Sequence, residues 1–235
     1  MGATRGSPSE SRGPGASPGR ASGARGMKTA MRLFSTAGCP YAHRTRALLV
    51  HLDQAFELRE VDLAAKPADF LALSPTAAVP LLEDQGFVLY ESAVINEYLA
   101  ERLAWREAFA PEARQRARER LAMKRFDEVV VPTAIRSLRD PAALEASPLW
   151  RREVEQLGLT VAGSRAASLL GLHLATHWLR YDWAFAGSQA VEALRGAAGG
   201  FLDAAAGLPC VVSTSPERAA TVAALRARFG PTAAS

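Results

Sequence analysis

The sequence has few cysteines and no long apolar run, and each shortage excludes a class of protein. Its 235 residues include two cysteines, Cys39 and Cys210, which are too few for a disulfide framework and favour a cytosolic thiol protein. In the second half of the chain, the longest stretch without an acidic residue, lysine or arginine is Ala166–Leu179, which is too short to span a bilayer. No apolar segment follows the start, so we expect a cytoplasmic protein with no secretion signal and no membrane contact.

An excess of positive charge is also missing from most of the chain, because it is concentrated at the start. Residues 1–26 carry four arginines against one glutamate, which accounts for +3 of the formal net charge of +4. The remainder is nearly neutral, so its charge gives no argument for binding nucleic acid. The same segment includes seven Gly, five Ser and three Pro, but no Leu, Ile or Val. We therefore predict a disordered tail over residues 1–26, or a start assigned too early, since Met27 and Met31 both follow it.

From Met31 onward, strand and helix patterns alternate, and then the chain becomes helical. The order βαβαββα predicts an α/β domain over residues 27–104, with the first two strands parallel and the last two in an antiparallel hairpin. Its predicted elements are Met31–Phe34, Pro40–Leu52, Phe56–Asp62, Pro67–Leu73, Pro80–Leu82, Phe87–Leu89 and Ser92–Leu103. An all-helical domain is predicted over residues 111–235, with helices at Pro111–Ser137, Pro148–Leu159, Ser168–Ala186, Ser188–Ala206 and Ser215–Arg228. Pro132 is expected to end or kink the first of these helices.

The first residue that carries chemistry is Cys39, which lies where the first strand leads into the first helix. Residues 38–44 read Gly-Cys-Pro-Tyr-Ala-His-Arg. At a helix N-terminus, the unpaired N–H groups and the positive end of the dipole favour a thiolate over a thiol. Ala42 occupies the place of the second cysteine of a redox dithiol, so disulfide chemistry here has to use one thiol, with the second thiol brought by a substrate. The alternative interpretation is a buried structural cysteine.

Two further pairs of residues favour a peptide-like ligand. Pro80 opens a strand after a loop of small residues, and a cis Val79–Pro80 bond would turn the N–H and C=O of Val79 outward, free to pair with such a ligand. Ser92 opens a helix just after a strand, where its N–H and hydroxyl can receive a carboxylate, while Glu91 beside it can hold an ammonium group. The alternatives are an ordinary trans proline, a helix N-cap at Ser92 and a surface acid at Glu91.

These features occur in the order and spacing of the glutathione transferase superfamily, which the chain resembles across Met31–Phe229. The resemblance implies a thioredoxin-like α/β domain followed by an all-α domain. Residues 39–46, Cys-Pro-Tyr-Ala-His-Arg-Thr-Arg, are most similar to the omega class and its bacterial thiol-transferase relatives. Most other classes have Ser or Tyr where this chain has Cys39.

The resemblance also implies a role for each residue of the site. Cys39 is implied to be the catalytic nucleophile, which forms a mixed disulfide with the co-substrate glutathione. The implied glutathione-binding contacts are the Val79 backbone beside cis-Pro80 for the cysteinyl unit, Glu91 and Ser92 for the γ-glutamyl end, and Lys66 for the glycyl carboxylate. The alternative interpretation of Lys66 is a solvated lysine at the start of a helix.

The function implied by the resemblance is a glutathione-dependent thiol transferase. It would reduce glutathione mixed disulfides, or act on related small electrophilic or disulfide substrates, through Cys39, as a homodimer and without a metal. Two other interpretations stay open. One is a glutathione transferase that conjugates glutathione to an electrophile, and the other is a non-catalytic protein-binding module, like a bacterial relative that associates with RNA polymerase.

Three other patterns in the sequence are expected to have a structural role and not a chemical one. His173 and His177 have the i, i+4 spacing of zinc ligands, but no third ligand is apparent and packing in a core helix is expected. The arginine-rich stretch 114–125 is interleaved with acids, which predicts a solvated helix face; the alternative is that a few of its arginines line a cleft. Ser168 is expected to cap the core helix, whereas Gly171 replaces the Asp of the family's capping box, which predicts a loss of about 1 kcal/mol in local stability.

Overall fold

The computed structural model describes residues 31–230 of the chain. The prediction of a tail over residues 1–26 lies outside the described residues. Within them, an α/β region precedes a helical region, as the sequence predicts.

A mixed four-stranded sheet forms the first part of the fold. Its strands are β1 (Met31–Ser35), β2 (Phe56–Glu60), β3 (Leu81–Asp84) and β4 (Phe87–Tyr90), in the order β2-β1-β3-β4. β1 pairs in parallel with β2 and β3 pairs antiparallel with β4, which confirms the predicted pairs, and β1 also pairs antiparallel with β3. The β3–β4 turn is made by Gln85 and Gly86, at φ values of 55° and 86°, and Gly86 takes this left-handed conformation without the steric cost of a side chain.

Within residues 31–230, three α-helices accompany the sheet and eight more follow it. The first three are α1 (Pro40–His51), α2 (Ala68–Leu73) and α3 (Ser92–Arg102). The others are α4 (Ala113–Arg125), α5 (Val131–Ser137), α6 (Ala142–Glu145), α7 (Pro148–Val161), α8 (Leu169–Phe185), α9 (Gln189–Ala206), α10 (Pro209–Ser213) and α11 (Arg218–Phe229). Between Glu91 and Gly230 the chain forms no strand. Of the helices in residues 31–230, none has both the length and the apolarity required to cross a membrane.

Pro132 distorts its helix instead of ending it. A π-helical turn, Phe126–Val130, joins α4 to α5, and the N–H of Val131 bonds to the carbonyl of Phe126, five residues earlier. Proline lacks an N–H and its ring crowds the carbonyl four residues before it, so a wider turn at this point lets the helix continue. The turn has a consequence for the site, because Asp127 lies on it.

The core helix α8 packs against α1 of the sheet region and against α9 of the helical region. It is buried on nearly all sides, as expected for a helix whose apolar residues are not confined to one face. Ser168 caps it as predicted, since its Oγ accepts a hydrogen bond from the N–H of Gly171 at 3.2 Å. Because α8 touches both regions, its polar residues can reach the loop that carries Cys39.

Candidate functional site

Cys39 is the N-cap of α1, with φ −81° and ψ 118°, and its side chain is half-buried. Its Sγ accepts a hydrogen bond from the N–H of Ala42 at 3.5 Å, a contact that satisfies one of the unpaired donors of the helix terminus. The sequence placed Cys39 at this strand-to-helix junction from the pattern of β1 and α1 alone. The sulfur therefore lies where backbone N–H groups and the helix dipole stabilise negative charge.

The Val79–Pro80 segment lies directly beside that sulfur. The Val79–Pro80 bond is cis, as the sequence analysis considered, and Pro80 is buried at the start of β3. The carbonyl oxygen of Val79 is 3.8 Å from the Sγ of Cys39. The structure thus brings together three of the predicted residues, and any group bonded to the sulfur is adjacent to the Val79 backbone.

Ser92 is held by a buried arginine that the sequence analysis did not interpret. The Arg44 side chain, 1% exposed, donates from Nε and Nη2 to the Ser92 Oγ at 2.9 and 2.6 Å. The interpretation of Ser92 as an N-cap is wrong: Glu91 is the N-cap residue, without a side-chain cap, and Ser92 is the first residue of α3. Since Arg44 occupies both acceptor positions of the hydroxyl, the remaining hydrogen-bonding capacity of that group is its own O–H.

The same guanidinium links α1 and α3 to the helical region. Arg44 donates to both carboxylate oxygens of Asp127, at 3.3 and 2.9 Å, and its Nη1 lies 2.6 Å from the Nε2 of His173. Burial acts to raise the pKa of Asp127, but contact with His173 and the charge of Arg44 outweigh it and hold that pKa well below its usual range. Burial, together with the charge of Arg44, lowers the pKa of His173 to about 4. Asp127 is therefore a carboxylate, and His173 is a neutral imidazole whose Nε2 lies between the Arg44 guanidinium and the Asp127 carboxylate.

Two more buried arginines fix the loop before Cys39. Arg46 donates to the Ser35 hydroxyl and to the Thr36 carbonyl, the latter at 3.2 Å. Arg180, on α8, donates from Nη2 to the Ala37 carbonyl at 3.2 Å and from Nη1 to the Nδ1 of His43 at 2.9 Å. Burial, with the charge of Arg46 contributing, lowers the pKa of Arg180 to about 10, so it stays cationic at neutral pH. Positive charge thus surrounds the loop that presents the sulfur.

The two remaining predicted residues have fewer contacts. Glu91 is exposed and adopts φ 67°, and its negative charge is close enough to Tyr41 to contribute to the raised pKa of that phenol, which is caused mainly by burial. Lys66 is half-buried, just before Pro67, which is the N-cap of α2. In the described part of the chain, no hydrogen bond or ion pair joins Lys66 to the other predicted residues.

A cavity of about 490 Å³ opens beside Cys39 between the sheet region and the helical region. Its walls come from the Cys39 loop, α5, α8 and α11. The lining residues are Thr36, Gly38, Cys39, Pro40, Tyr41, Leu63, Val131, Ile135, His177, Arg180, Tyr181, Thr221, Ala224, Leu225, Arg228 and Phe229. The residues predicted to bind glutathione, Lys66, Val79, Pro80, Glu91 and Ser92, are not among these lining residues.

Comparison with known proteins decides the family. Residues 38–102 match the family model of the glutathione S-transferase N-terminal domain. A probable glutathione transferase from Aplysia californica is 40% identical over 83 residues, which cover 35% of this chain and 90% of that protein. The chain belongs to the glutathione transferase family.

Two other relatives are matched over less than two thirds of their own length. A stringent starvation protein A homolog from Haemophilus influenzae is 33% identical over 138 residues, 59% of this chain and 65% of that protein. Human glutathione S-transferase omega-2 is 33% identical over 100 residues, 42% of this chain and 41% of that protein. The crystal structure of glutathione transferase Omega 3C from Trametes versicolor has the same fold, with a TM-score of 0.69 at 24% identity over 80% of this chain and 90% of that one.

The histidine pair and the arginine-rich stretch have mostly structural contacts. His173 packs in the Arg44 contact, and His177 packs edge-on against Tyr41 with ring centroids 4.7 Å apart. Within residues 31–230, no cluster of three or more His, Cys, Asp or Glu is arranged to hold a metal ion. The arginines of the 114–125 stretch are exposed or half-buried, and none lines the cavity beside Cys39.

Sequence reasoning missed the residues that join the sheet region to the helical region. Arg44 was noted only as part of the family-like run, Asp127 was treated as one acid of a solvated helix face, and Arg180 was not considered. One signal was available: Arg180 ends an otherwise uncharged core-helix pattern, where a buried charge requires a partner. Nothing local in the sequence identifies Asp127, since its position depends on the π turn.

Proposed function

We propose that this protein is a glutathione-dependent thiol transferase, in which Cys39 carries the reaction. The observation that supports the proposal is the position of its Sγ, at the start of α1 and 3.8 Å from the Val79 carbonyl, beside a cavity that can take a second substrate. A structural cysteine would require neither the helix N-terminus nor the neighbouring Val79 carbonyl and cavity. Cys210, buried on α10 with a pKa raised by burial, has the environment of an inert thiol.

The reaction proceeds as two successive thiol–disulfide exchanges. The Cys39 thiolate attacks the glutathionyl sulfur of a mixed disulfide, so a Cys39–glutathione disulfide forms and the partner leaves as its thiolate. A second glutathione, as its thiolate, then attacks the glutathionyl sulfur of this adduct and leaves as glutathione disulfide, which regenerates the Cys39 thiolate. In sum, one mixed disulfide and one glutathione give the free thiol and one glutathione disulfide, so no other oxidant or reductant is needed.

Glutathione would bind through groups on the sheet side of the sulfur. The Val79 backbone pairs with its cysteinyl unit, and Glu91 holds its ammonium group. The O–H of Ser92, whose oxygen already accepts two hydrogen bonds from Arg44, donates to the γ-glutamyl carboxylate together with the first N–H groups of α3. Lys66 is the candidate for the glycyl carboxylate.

Conjugation of glutathione to an electrophile fits the site less well. That reaction needs a donor that stabilises the glutathione thiolate, whereas a cysteine at this position is trapped as the mixed disulfide. A homodimer is part of the proposal. Candidates for its interface are exposed apolar side chains of β4, α3 and α4, namely Phe87, Tyr90, Val94 and Leu121, which are 41% to 58% exposed.

A second candidate is a protein-binding module without catalysis. It is favoured by one observation, the match over 59% of this chain to a stringent starvation protein A homolog, which is not named as a glutathione transferase and covers more of the chain than human omega-2 or the Aplysia protein does. A pure binding module has no need of a thiol at the start of α1 or of the groups assigned to glutathione. Glutathione affinity therefore separates the two candidates.

The test compares wild type with Cys39→Ser, Cys210→Ser and Glu91→Ala. Reduction of a glutathione mixed disulfide is followed by its release of glutathione disulfide, and glutathione binding by calorimetric titration. Cys39→Ser is expected to abolish turnover and keep most of the affinity, because serine supplies no nucleophile for sulfur but leaves the binding groups intact. Glu91→Ala is expected to weaken binding by roughly 1.5–3 kcal/mol, the loss of a charge-assisted hydrogen bond.

Cys210→Ser is the matched control, since it removes the other thiol from a buried place away from the cavity. It is expected to retain turnover. Equal turnover in wild type and Cys39→Ser would refute the enzyme, and wild type that binds no glutathione would leave the binding module as the better candidate.

A further inference from the structure

Two arginines behind the Cys39 loop are buried without a carboxylate partner. Arg46, on α1, is 5% exposed, and Arg180, on α8, is 1% exposed. In the described part of the chain neither of them forms an ion pair with an acidic side chain, in contrast to Arg44, whose charge is balanced by Asp127. A cation that is buried without a counter-charge is strongly unfavourable, so these two arginines call for an explanation.

The hydrogen bonds of the two guanidiniums do not supply that counter-charge. Within residues 31–230, all of them go to uncharged groups. The acceptors are the Ser35 hydroxyl, the His43 ring and the carbonyls of Thr36, Ala37, Thr176 and Thr214. The His43 ring is neutral, because burial, with the charges of Arg180 and Arg46, lowers its pKa to about 3. These bonds satisfy N–H donors but leave two positive charges in the interior.

Both guanidiniums are fixed beside the backbone that presents the sulfur. Arg46 and Arg180 donate to consecutive carbonyls of the loop, those of Thr36 and Ala37, each at 3.2 Å. The Thr36 carbonyl also accepts the N–H of Cys39 at 3.1 Å, so it links Arg46 directly to Cys39. Arg180 and Cys39 line the same cavity. The two uncompensated cations are thus next to the one residue of the loop that can become an anion.

The other titratable groups of the surrounding elements provide no buried anion. Burial lowers the pKa of both histidines and raises that of both tyrosines near the loop, so all four are neutral at neutral pH. These are His43, His177, Tyr41 and Tyr181. Asp127 is occupied by Arg44. Glu60, Glu91 and Arg228 are exposed, where water and salt screen their charges.

The electrostatic effect of Cys39 on the two arginines agrees with this geometry. Burial lowers the pKa of Arg46 and of Arg180, and the negative charge of a Cys39 thiolate acts on both in the opposite direction. Glu60 supports Arg46 from the surface in the same way. The interaction of two charges is mutual, so the arginines favour the thiolate as much as the thiolate favours them.

We propose that the Cys39 thiolate is the counter-ion of Arg46 and Arg180, and that these arginines are positioning residues that keep the nucleophile ionised at neutral pH. The inference rests on the proposed function for the role it gives the thiolate. It extends to the second exchange, in which glutathione, as its thiolate, attacks the glutathionyl sulfur of the adduct. The S–S bond breaks and its electron pair leaves on the Cys39 sulfur, where the two cations stabilise it and so speed its departure.

The test measures how fast iodoacetamide alkylates Cys39 between pH 5 and pH 10, by mass spectrometry of the peptide that contains it. Because only the thiolate reacts, the rate rises with pH around a midpoint at which half of the thiol is ionised. Arg180→Gln and Arg46→Gln are each expected to raise that midpoint by about one pH unit or more, as for the loss of a neighbouring opposite charge. Below the midpoint this is a roughly tenfold loss of thiolate.

Two further variants separate charge from structure. Arg180→Lys keeps the positive charge but not the guanidinium geometry, and its midpoint is expected to stay close to that of wild type. Arg226→Gln is the matched control, because Arg226 also donates to a backbone carbonyl, that of Ala184 at 3.0 Å, but does not line the cavity beside Cys39. Its midpoint is expected to equal that of wild type.

The outcomes also separate this inference from the proposed function. Unchanged midpoints in both Gln variants would overturn the counter-ion, as would an Arg180→Lys midpoint that moves as far as that of Arg180→Gln. Turnover of a glutathione mixed disulfide with unchanged midpoints would leave the thiol transferase in place. Shifted midpoints in a protein without turnover would refute the transferase and keep the ion pair.

A second measurement leaves both arginines in place, because their removal can prevent folding. It compares the free energy of unfolding of wild type and Cys39→Ser by urea denaturation from pH 6 to pH 8. Thiols of unfolded chains ionise near pH 8.5, about the ordinary value, so a thiolate held in the folded state stabilises wild type increasingly as the pH rises. The histidines are common to both proteins and cancel in the difference. A difference that grows with pH is expected, and a constant difference would overturn the counter-ion.

Discussion

Arg44 is the residue through which the site and the helical region depend on each other. Its guanidinium contacts the hydroxyl of Ser92, the carboxylate of Asp127 and the ring of His173, and its plane lies 4.9 Å from the ring centroid of Tyr41. Arg44 can be buried because each of these neighbours accepts one of its hydrogen bonds or balances part of its charge. Through Arg44, Asp127 of the helical region helps to position Ser92, although the two residues do not touch.

The first residue-scale prediction concerns Asp127→Asn. Asp127 is predicted to be a positioning residue, so the change leaves Arg44 without its counter-charge and loosens its hold on Ser92. We expect roughly 1.5–3 kcal/mol of lost stability, the range for a hydrogen bond to a charged group. We also expect weaker binding of glutathione, although Asp127 lies outside the proposed glutathione contacts. Urea denaturation and calorimetric titration of glutathione measure the two effects.

Glu128→Gln is the control for that change. Glu128 is the next residue along the π turn, but it is exposed and pairs with Lys124 and Arg125 at the surface. Surface pairs contribute about 0–1 kcal/mol, so little change is expected in stability and none in binding. If Asp127→Asn behaved like Glu128→Gln in both assays, the proposed link between Arg44 and Ser92 would be wrong.

Residue-scale prediction from the sequence succeeded where chemistry depends on local structure. Cys39 could be placed because a strand pattern, a cysteine and a proline follow one another within ten residues. Arg44 and Asp127 are 83 residues apart, and nothing local indicates that they meet. For the same reason an N-cap was the alternative considered for Ser92, because its contact with Arg44, 48 residues away, leaves no local signal in the sequence.

At the scale of the element, the start of α8 requires a glycine at position 171. A Cβ built at Gly171 would lie 1.8 Å from the carbonyl oxygen of Ala166, a backbone atom that cannot move without its segment. The sequence analysis expected a loss of local stability because Gly171 replaces a capping Asp. The structure adds that the Ala166 carbonyl occupies the place where that side chain would begin.

The element-scale prediction follows from this close approach. Gly171→Ala and Gly171→Asp are both expected to destabilise the protein by about 1–3 kcal/mol or more, the range for overpacking, despite the better helix propensity of Ala. Gly196→Ala, in the middle of α9, is the control, since a Cβ there meets nothing within 4 Å. It is expected to stabilise by roughly 0.5–1 kcal/mol.

Thermal unfolding of the three variants decides the matter. A Gly171→Asp variant that melts above wild type would mean that the capping box forms and that the approach of Ala166 is not a constraint.

The π turn is a further case in which an element departed from its sequence pattern: Pro132 was expected to end or kink a helix, and the helix continues because one turn widens.

At the scale of the whole molecule, buried histidines lie where the two regions meet. His43, on α1, accepts a hydrogen bond from Arg180 and donates from Nε2 to the carbonyl of Val211, on α10, at 3.2 Å. Burial, with the charges of Arg180 and Arg46, lowers its pKa to about 3. His173 is lowered to about 4, and burial holds the pKa of His177 well below its usual value. Each is therefore neutral in the folded protein at neutral pH.

These neutral histidines predict that acid begins to destabilise the protein at a higher pH than protonation of its carboxylates alone would. Between pH 6.5 and about 4, the unfolded state binds protons at these histidines and the folded state does not, so the free energy of unfolding falls as the pH falls through that window. Each histidine contributes up to about 1.4 kcal/mol per pH unit well below its unfolded pKa. Urea denaturation across the window measures the slope. A free energy of unfolding that stays constant from pH 7 to about pH 4.5 would contradict the neutral histidines.

The most direct test of the central claim is whole-protein mass spectrometry after exposure to glutathione disulfide. The Cys39 thiolate is expected to attack one sulfur, release one glutathione and keep the other as a disulfide. The predicted result is a single glutathionyl adduct, located on the peptide that contains Cys39, absent in Cys39→Ser and reversed by added glutathione. An unmodified protein, or an adduct confined to Cys210, would contradict the assignment of Cys39 as the nucleophile.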